Sequence, residues 1–278
     1  MTPVETFVKK YLRQRVLPTI WCGGCGLGTV MRVIIKAFDD LSIDQNKLVV
    51  VSGIGCSSRM VGYMDTNTVH TTHGRALPVA TGIKLAHPEL EVVVIMGDGD
   101  GTAIGGNHLI HASRRNINLN VFLLNNGNYG MTSGQVSPMT PHAWYASTSP
   151  FGNLEHAFHL CDMVKSAGAT YIARTTSFHY MQAVRLAKEV LEHKGFAFLE
   201  FYFQCPTYFG RFNEMTDAPT MLDWFKKHAV RYNPENPREL EKGQFYVGKL
   251  WEDNTKDEYT DLYAKLCDRA KEMMQVAK

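Results

Sequence analysis

The sequence has no long apolar run, no excess of charge of one sign and no internal repeat. Its 278 residues carry 29 basic and 27 acidic side chains, spread along the chain, for a formal net charge of +2. Without a basic tract, nucleic acid is not an expected partner. No apolar segment approaches the ~18 residues of a membrane span, and residues 1–18 lack the apolar core and cleavage site of a secretory signal. We expect a cytoplasmic protein without membrane association, whose partners are small molecules and other proteins.

Cysteine is also scarce, because six cysteines in a chain of this length are too few for a disulfide scaffold. Cys22 and Cys25 form a Cys-Gly-Gly-Cys pair, whereas Cys56 and Cys205 are isolated and each follows a predicted strand. Such a pair can hold zinc, act as a dithiol or bind an iron–sulfur cluster, and the second pair of a zinc finger is missing. We predict one [4Fe–4S] cluster on these four thiolates, with zinc as the alternative. The other two cysteines are expected to be plain thiols: Cys161 and Cys267.

Five short apolar runs, rich in β-branched residues, alternate with segments of helical periodicity. The runs are residues 47–54, 91–96, 120–125, 171–175 and 196–203. Runs that are almost wholly apolar are typical of parallel strands covered on both faces. The helical segments are residues 26–38, 75–86, 105–115, 154–167 and 178–193. This alternation predicts a doubly wound α/β fold with a parallel sheet.

The alternation of strands and helices stops after Pro206. We therefore expect residues 1–206 to form one α/β domain and residues 207–278 to form a C-terminal arm. An amphipathic helix is predicted at 257–276, docked on this or a partner subunit. Residues 129–151 contain three prolines and are predicted to form an ordered loop over a cofactor.

Polar residues follow two successive predicted strands. Asp98 lies in Gly97-Asp-Gly99 after one strand, and Asn125-Asn126 ends the next. Open parallel sheets bind ligands at the carboxyl ends of their strands, and Mg²⁺ combines protein oxygens with phosphate oxygens. Side-chain oxygens of Asp98 and Asn126, with the backbone carbonyl of Asn128, would hold Mg²⁺ and the diphosphate of thiamine diphosphate. Both motifs also suit ordinary turns, but their placement on successive strands favours the metal–diphosphate site.

The chain resembles the beta subunits of the 2-oxoacid:ferredoxin oxidoreductases over about residues 20 to 210. Six blocks carry the resemblance, in this order: Trp21-Cys-Gly-Gly-Cys-Gly26, Ser52-Gly-Ile-Gly-Cys-Ser57, His70-Thr-Thr-His-Gly-Arg75, Gly97-Asp-Gly-Asp100, Ile104-Gly-Gly-Asn-His108 and Asn125-Asn-Gly-Asn-Tyr-Gly-Met-Thr-Ser-Gly-Gln135. The resemblance implies the thiamine-diphosphate-binding fold, the cluster on the four cysteines, and Mg²⁺ on Asp98, Asn126 and the Asn128 carbonyl. It also implies which residues line the cofactor: Ile54, Gly55, Cys56, Ser57, His73, Gly99, Asp100, Gly130 and Met131.

The resemblance further implies the activity. Members carry out coenzyme A-dependent oxidative decarboxylation of a 2-oxoacid and pass the electrons through the cluster to ferredoxin. In this family the glutamate that activates thiamine diphosphate comes from the alpha subunit, and no glutamate in the matching blocks can replace it. We expect no catalytic residue in this chain, activity only with the alpha subunit, and a heterodimer or a dimer of heterodimers.

The substrate is predicted from the block at 129–135. Its Met-Thr followed by a small residue resembles the 2-oxoglutarate enzymes, which form succinyl-CoA, although Ser133 stands where other members have lysine. Pyruvate, branched-chain, aryl-pyruvate or broad 2-oxoacid use stays open. Two other classes also stay open: a non-redox thiamine diphosphate decarboxylase and a non-enzymatic electron-transfer module. Arg75 could hold a substrate carboxylate or form a structural salt bridge. His73 could contact the cofactor or cap the next helix, and His108 and His111 are expected to be packing or surface residues.

Overall fold

A computed structural model describes residues 3–276, and its central feature is one sheet. Its strands over those residues are β1 (Leu48–Ser52), β2 (Asn67–His70), β3 (Glu91–Gly97), β4 (Leu119–Asn125), β5 (Tyr171–Thr176), β6 (Phe196–Tyr202), β7 (Ala229–Arg231) and β8 (Phe245–Glu252). They lie in the order β2-β1-β3-β4-β6-β5-β8-β7. Every pairing is parallel except that between β5 and β8. The five predicted strands are all present, so the predicted α/β fold with a parallel sheet is confirmed.

Helices cover both faces of this sheet. They are α1 (Pro3–Tyr11), α2 (Leu27–Asp40), α3 (Met60–Tyr63), α4 (Ala76–Ala86), α5 (Gly106–Arg115), α6 (Leu160–Ala167), α7 (Tyr180–Glu192), α8 (Ala218–His228) and α9 (Tyr259–Val276). Alternate strand residues point to opposite faces. In β3, Val93 and Ile95 pack with α2 and α7, whereas Val92 and Val94 pack with α4 to α6. Two apolar cores therefore enclose the sheet, which is the doubly wound arrangement.

The register of the parallel strands brings their carboxyl ends to one edge. Gly97 at the end of β3 pairs with Leu124 of β4, and Asn125 of β4 pairs with Tyr202 of β6. Because β4 and β6 are neighbours, a segment that follows residue 202 lies beside one that follows residue 125. This edge is where the candidate site residues converge.

The structure differs from the prediction in α6, which begins at Leu160 and not at residue 154. The side chain of Asn153 explains the late start. Its amide nitrogen donates hydrogen bonds to the carbonyl oxygens of Thr140 (2.9 Å) and Glu155 (3.1 Å). An asparagine that binds nearby backbone in this way favours a turn over a helix.

Residues 207–276, which were predicted as a C-terminal arm, contain more regular structure than the sequence predicted. Besides the predicted terminal helix, found as α9, they form α8 and the strands β7 and β8. β8 pairs antiparallel with β5 and so extends the sheet, with a register irregularity between Ile172 and Ala173. The apolar side chains Leu262, Leu266 and Met273 of α9 are exposed. Within residues 3–276 none of the helices combines the length and apolar character needed to cross a membrane.

Candidate functional site

Asp98 and the turn after β4 meet at the carboxyl edge of the sheet. Asp98 is 1% exposed, and the backbone N–H groups of Gly99 and Asn126 are near enough to its carboxylate to lower the pKa of that group. The side-chain nitrogen of Asn126 donates to Oδ1 of Asn128 over 2.5 Å, while Nδ2 of Asn128 is buried without a hydrogen-bond partner. The predicted metal-site residues are thus brought together by the ends of adjacent strands.

The electrostatics of Asp98 suit a cation. Burial raises the pKa of its carboxyl to about 7, and hydrogen bonds from Ser137 and from the backbone N–H groups of Gly99, Asp98 and Asn126 oppose that rise. A divalent cation beside a carboxylate favours its ionised form, because opposite charges attract. Carboxylate, amide and carbonyl oxygens are also the donors that Mg²⁺ prefers. The residues present therefore fit a bound magnesium ion.

Asp100 fastens two loops of the site together. Its Oδ1 accepts hydrogen bonds from the N–H of Ile54 (3.2 Å), the N–H of Gly74 (2.7 Å) and Nδ1 of His73 (2.5 Å). Its Oδ2 is buried without a partner beside Gly53, where any side chain would overlap the carboxylate. These bonds join the loops that follow β1 and β2.

His73 contacts Asp100 and does not cap the helix that follows it. No side chain caps the N-terminus of α4, so His73 does not take the capping alternative and pairs with Asp100. Its ring meets that of Tyr129 edge-on, with centroids 6.2 Å apart. Arg75, the neighbouring cation, donates to the carbonyl oxygens of Gly74 (3.5 Å) and Ile104 (3.4 Å).

A buried ion pair between Arg174 and Glu200 is hydrogen-bonded to the turn after β4 through Asn125. The side-chain nitrogen of Asn125 donates to Oε1 of Glu200 over 2.8 Å, and Oδ1 of Asn125 accepts from the N–H of Gly127 over 3.0 Å. Arg174 Nε donates to the other oxygen of Glu200 over 2.7 Å. Cys161 also contacts Glu200, so this thiol is buried in a polar environment. Sequence reasoning missed this network, because nothing in the sequence places strand β6 beside β4.

Four cysteines line one cavity of about 190 Å³ next to that turn, as predicted for the cluster ligands: Cys22, Cys25, Cys56 and Cys205. The Cys-Gly-Gly-Cys turn is held at the end of β6 by a hydrogen bond of 3.0 Å from the N–H of Gly26 to the carbonyl of Gln204. Trp21 Nε1 donates to the carbonyl of Cys56 over 2.8 Å. Asn126 and Gly130 line the same cavity. The four cysteines and the turn that carries Asn126 therefore border the same cavity.

The thiols of this cavity influence one another. Burial raises the pKa of Cys25 to about 12 and that of Cys56 to about 11, and neighbouring thiols add to both shifts. Burial also raises the pKa of Cys205, against hydrogen bonds from backbone N–H groups and from the side chain of Asn126. A bound cation would lower these values, because thiolates and not thiols are metal ligands.

The number of cysteines at this cavity bears on the kind of metal site they could form. Across residues 3–276 no group of three or more His, Cys, Asp or Glu side chains is arranged to hold a single metal ion. One zinc ion needs four donors about 2.0–2.3 Å from one point, whereas an iron–sulfur cluster has one cysteine on each of several irons. Four cysteines around one cavity match the number of thiolates that hold a [4Fe–4S] cluster.

Residues 129–151, predicted to form an ordered loop, contain no helix or strand and are hydrogen-bonded to Asp98 through Ser137. Ser137 donates its hydroxyl proton to Asp98 Oδ2 over 2.5 Å, and Thr140 donates to the carbonyl of Gly127 over 2.6 Å. Tyr129 donates to the carbonyl of Gly99 over 3.3 Å. Sequence reasoning included Tyr129 in the block at 129–135 but did not single out Ser137 or Thr140, for which a Ser-Pro-x-Thr turn signal was the indication available.

Comparison with known proteins matches the same region. A family model described as "Thiamine pyrophosphate enzyme, C-terminal TPP binding domain" matches residues 53–201. The 2-oxoglutarate synthase subunit KorB of Methanocaldococcus jannaschii is 47% identical over 264 residues, 94% of this chain and 97% of that protein. This chain belongs to the family of 2-oxoacid:ferredoxin oxidoreductase beta subunits. The KorB subunit of Archaeoglobus fulgidus is 52% identical over 86% of this chain and 95% of that protein.

A solved structure extends the agreement to three dimensions. It is a 2-oxoglutarate:ferredoxin oxidoreductase from Magnetococcus marinus with 2-oxoglutarate, coenzyme A and succinyl-CoA bound. The TM-score is 0.85 at 33% sequence identity, over 98% of this chain and 96% of that chain. The predicted family, the oxidoreductase activity and thiamine diphosphate as a cofactor of this beta subunit are confirmed.

Proposed function

We propose that this beta subunit belongs to a 2-oxoglutarate:ferredoxin oxidoreductase, which forms succinyl-CoA and carbon dioxide from 2-oxoglutarate and coenzyme A and reduces ferredoxin. One observation carries the proposal: the Asp98–Asn126 edge and the four-cysteine cavity share Asn126. The KorB names of the relatives and the ligands of the similar structure support 2-oxoglutarate as the substrate. The alternative is a broader preference among 2-oxoacids, and a comparison of substrates distinguishes the two.

The residues of the edge would have distinct tasks. Asp98, the side-chain oxygen of Asn126 and the carbonyl of Asn128 would hold Mg²⁺, and the four cysteines would hold one [4Fe–4S] cluster. When bound, thiamine diphosphate supplies carbanion chemistry and the cluster supplies a one-electron acceptor. The loops around the edge would orient the cofactor and exclude water from it, through the residues predicted above: Ile54, Gly55, Cys56, Ser57, His73, Gly99, Asp100, Gly130 and Met131.

Another subunit would complete this site. The acidic side chains identified at the edge are both engaged, Asp98 by Ser137 and Asp100 by His73 and two backbone N–H groups. In the proposed site Asp98 would bind Mg²⁺ and Asp100 would hold two loops together, so both carboxylates already have another role. An alpha subunit would supply that acid, in a heterodimer or a dimer of heterodimers. Within this chain, we assign the site to residues 1–206 and leave 207–278 as the arm.

The substrate is tested with the complex assembled with its alpha subunit and kept anaerobic. Carbon dioxide release and viologen reduction are measured for 2-oxoglutarate, pyruvate, branched-chain 2-oxoacids and aryl-pyruvates, with and without coenzyme A. We expect the highest kcat/KM for 2-oxoglutarate and dependence on coenzyme A. Equal or higher kcat/KM for another 2-oxoacid would overturn the substrate assignment, and carbon dioxide release without viologen reduction would overturn the redox function.

The cluster ligands are tested by iron and sulfide analysis of the same complex. Cys56→Ser and Cys205→Ser should lose iron and sulfide, whereas Cys267→Ser should keep the wild-type content. Cys267 is the matched control because it lies on α9, outside the cavity. Wild-type iron and sulfide in the first two variants would show that other residues hold the cluster.

A further inference from the structure

A four-residue turn, Ser137-Pro138-Met139-Thr140, is stabilised by hydrogen bonds among its own residues. The N–H of Thr140 donates to the carbonyl of Ser137 over 3.0 Å. The N–H of Ser137 donates to Thr140 Oγ1 over 2.9 Å, and the N–H of Met139 donates to Ser137 Oγ over 3.2 Å. Pro138 restricts the backbone further, because its ring fixes φ.

The internal bonds decide where the two hydroxyl protons point. Each hydroxyl can donate one hydrogen bond, and each oxygen here already accepts one from the backbone of the turn. The proton of Ser137 is directed to Asp98 Oδ2 and that of Thr140 to the carbonyl of Gly127. One turn therefore binds the segment after β3 and the segment after β4 at the same time.

The turn is also fixed to its surroundings. Ser137 is 2% exposed and Thr140 is 1% exposed, and Met139 packs into the core on the α4 to α6 face. Asn153 donates to the carbonyl of Thr140 over 2.9 Å. Displacement of the turn would break several buried hydrogen bonds together, each of which is costly to leave unmade.

We propose that the Ser137–Thr140 turn is a positioning element that sets the separation of Asp98 from the Asn126–Asn128 turn and thereby the affinity for Mg²⁺ and diphosphate. This inference rests on the metal site of the proposed function. Ser137 and Thr140 touch neither substrate nor metal in it. They act through the carboxylate of Asp98 and the carbonyl of Gly127.

The test uses the assembled complex with Ser137→Ala, Thr140→Val and the double variant. Titration calorimetry gives the Kd for thiamine diphosphate at fixed Mg²⁺, and electron paramagnetic resonance gives the Kd for Mn²⁺ as a metal probe. Each single variant should raise both Kd values about tenfold, the size of one lost hydrogen bond to a charged or preorganised acceptor. The double variant should fall short of the product of the single effects, because contacting residues are not additive.

Two controls separate positioning from structural support. Thr140→Ser keeps the hydroxyl and should restore affinity to within about twofold of wild type. Thr148→Val changes an exposed residue of the same loop, whose hydroxyl accepts a hydrogen bond from the N–H of Val136 and not from either hydroxyl of the turn. It should leave both Kd values unchanged. If Ser137→Ala does not assemble, Thr140→Val and Thr140→Ser carry the same expectation.

The outcomes distinguish this inference from the proposed function. Wild-type Kd values in Ser137→Ala and Thr140→Val, with a lower Tm of the cofactor-free complex, would overturn the positioning role and leave a structural one. A wild-type complex that binds neither Mn²⁺ nor thiamine diphosphate would instead overturn the metal site on which the inference rests.

Discussion

At the scale of single residues, the site depends on a glycine that leaves room for a ring. Gly99 has φ of −65°, which any residue adopts, so its backbone conformation does not require glycine. A methyl group there would overlap the ring of Tyr129, whose hydroxyl donates to the Gly99 carbonyl. The absence of a side chain lets Tyr129 close on the loop that carries Asp98.

Gly99→Ala should therefore weaken thiamine diphosphate binding by about tenfold or more, because overpacking forces Tyr129 and the Asp98 loop apart. The Kd is measured by titration of the assembled complex at saturating Mg²⁺. Gly106→Ala is the matched control, since a methyl group at the start of α5 meets no atom within 4 Å. Equal Kd values for the two variants would contradict this account.

The buried pair of Arg174 and Glu200 gives a second expectation at this scale. Glu200 is fully buried, so Arg174→Met would leave a carboxylate uncompensated and should lower the free energy of unfolding by about 3–5 kcal/mol. Arg185→Met breaks the more exposed pair with Glu189 and should cost less than about 1 kcal/mol. Urea unfolding of the isolated chain measures both. Similar losses of unfolding free energy in the two variants would mean that burial of the ion pair does not determine how much its removal destabilises the chain.

The sequence predicted some site residues and not others, for a physical reason. Asp98 and Asn126 each follow a recognisable strand and carry an oxygen of the kind that Mg²⁺ prefers, so local patterns were enough to propose them. Ser137, Thr140 and Glu200 act through partners 13 to 75 residues away. Such contacts depend on the order of strands in the sheet, which periodicity along the chain does not specify.

At the scale of elements, the buried strands were easier to predict than the strands at the sheet margin. β3 and β4 are continuous apolar runs, and their predicted bounds agree with the structure to within about one residue. β2 and β8 carry polar and partly exposed residues, so neither gives such a run. Their pairing comes from the neighbouring strand and not from their own composition.

The junction after α7 gives a pH-dependent expectation. His193 Nε2 lies 2.8 Å from Thr170 Oγ1, and burial lowers the pKa of the imidazole below its usual 6.5. The unfolded chain therefore binds more protons than the folded chain as the pH falls through 6.5 toward the lowered pKa. Stability from this group is present above that window and is lost within it.

We expect the wild-type chain to lose more stability than His193→Gln when the pH is lowered from 8 to about 5.5. Urea unfolding at several pH values measures the difference between the two proteins. Parallel stability curves over that range would show that His193 titrates alike in both states. Equal stability at high pH is not required, because the substitution also changes the hydrogen bond to Thr170.

At the scale of the whole molecule, stability should reside in the sheet and its two cores and not in α9. Leu199 of β6 is fully buried, whereas Leu266 of α9 is 53% exposed. Leu199→Ala should cost about 2–5 kcal/mol, and Leu266→Ala should cost less than about 0.5 kcal/mol. Chemical denaturation of the isolated chain compares them. A large loss for Leu266→Ala would mean that α9 packs against this chain.

The position of Cys205 has a consequence for how the protein is made. Three thiols of the cavity lie within the first 56 residues, but the fourth follows β6, which reaches its place only by pairing with β4. A nascent chain that has not yet been made to residue 205 lacks the side of the cavity that Cys205 forms. The cluster of the proposed function could therefore gain its fourth cysteine only after the chain has been made past residue 205 and β6 has paired with β4.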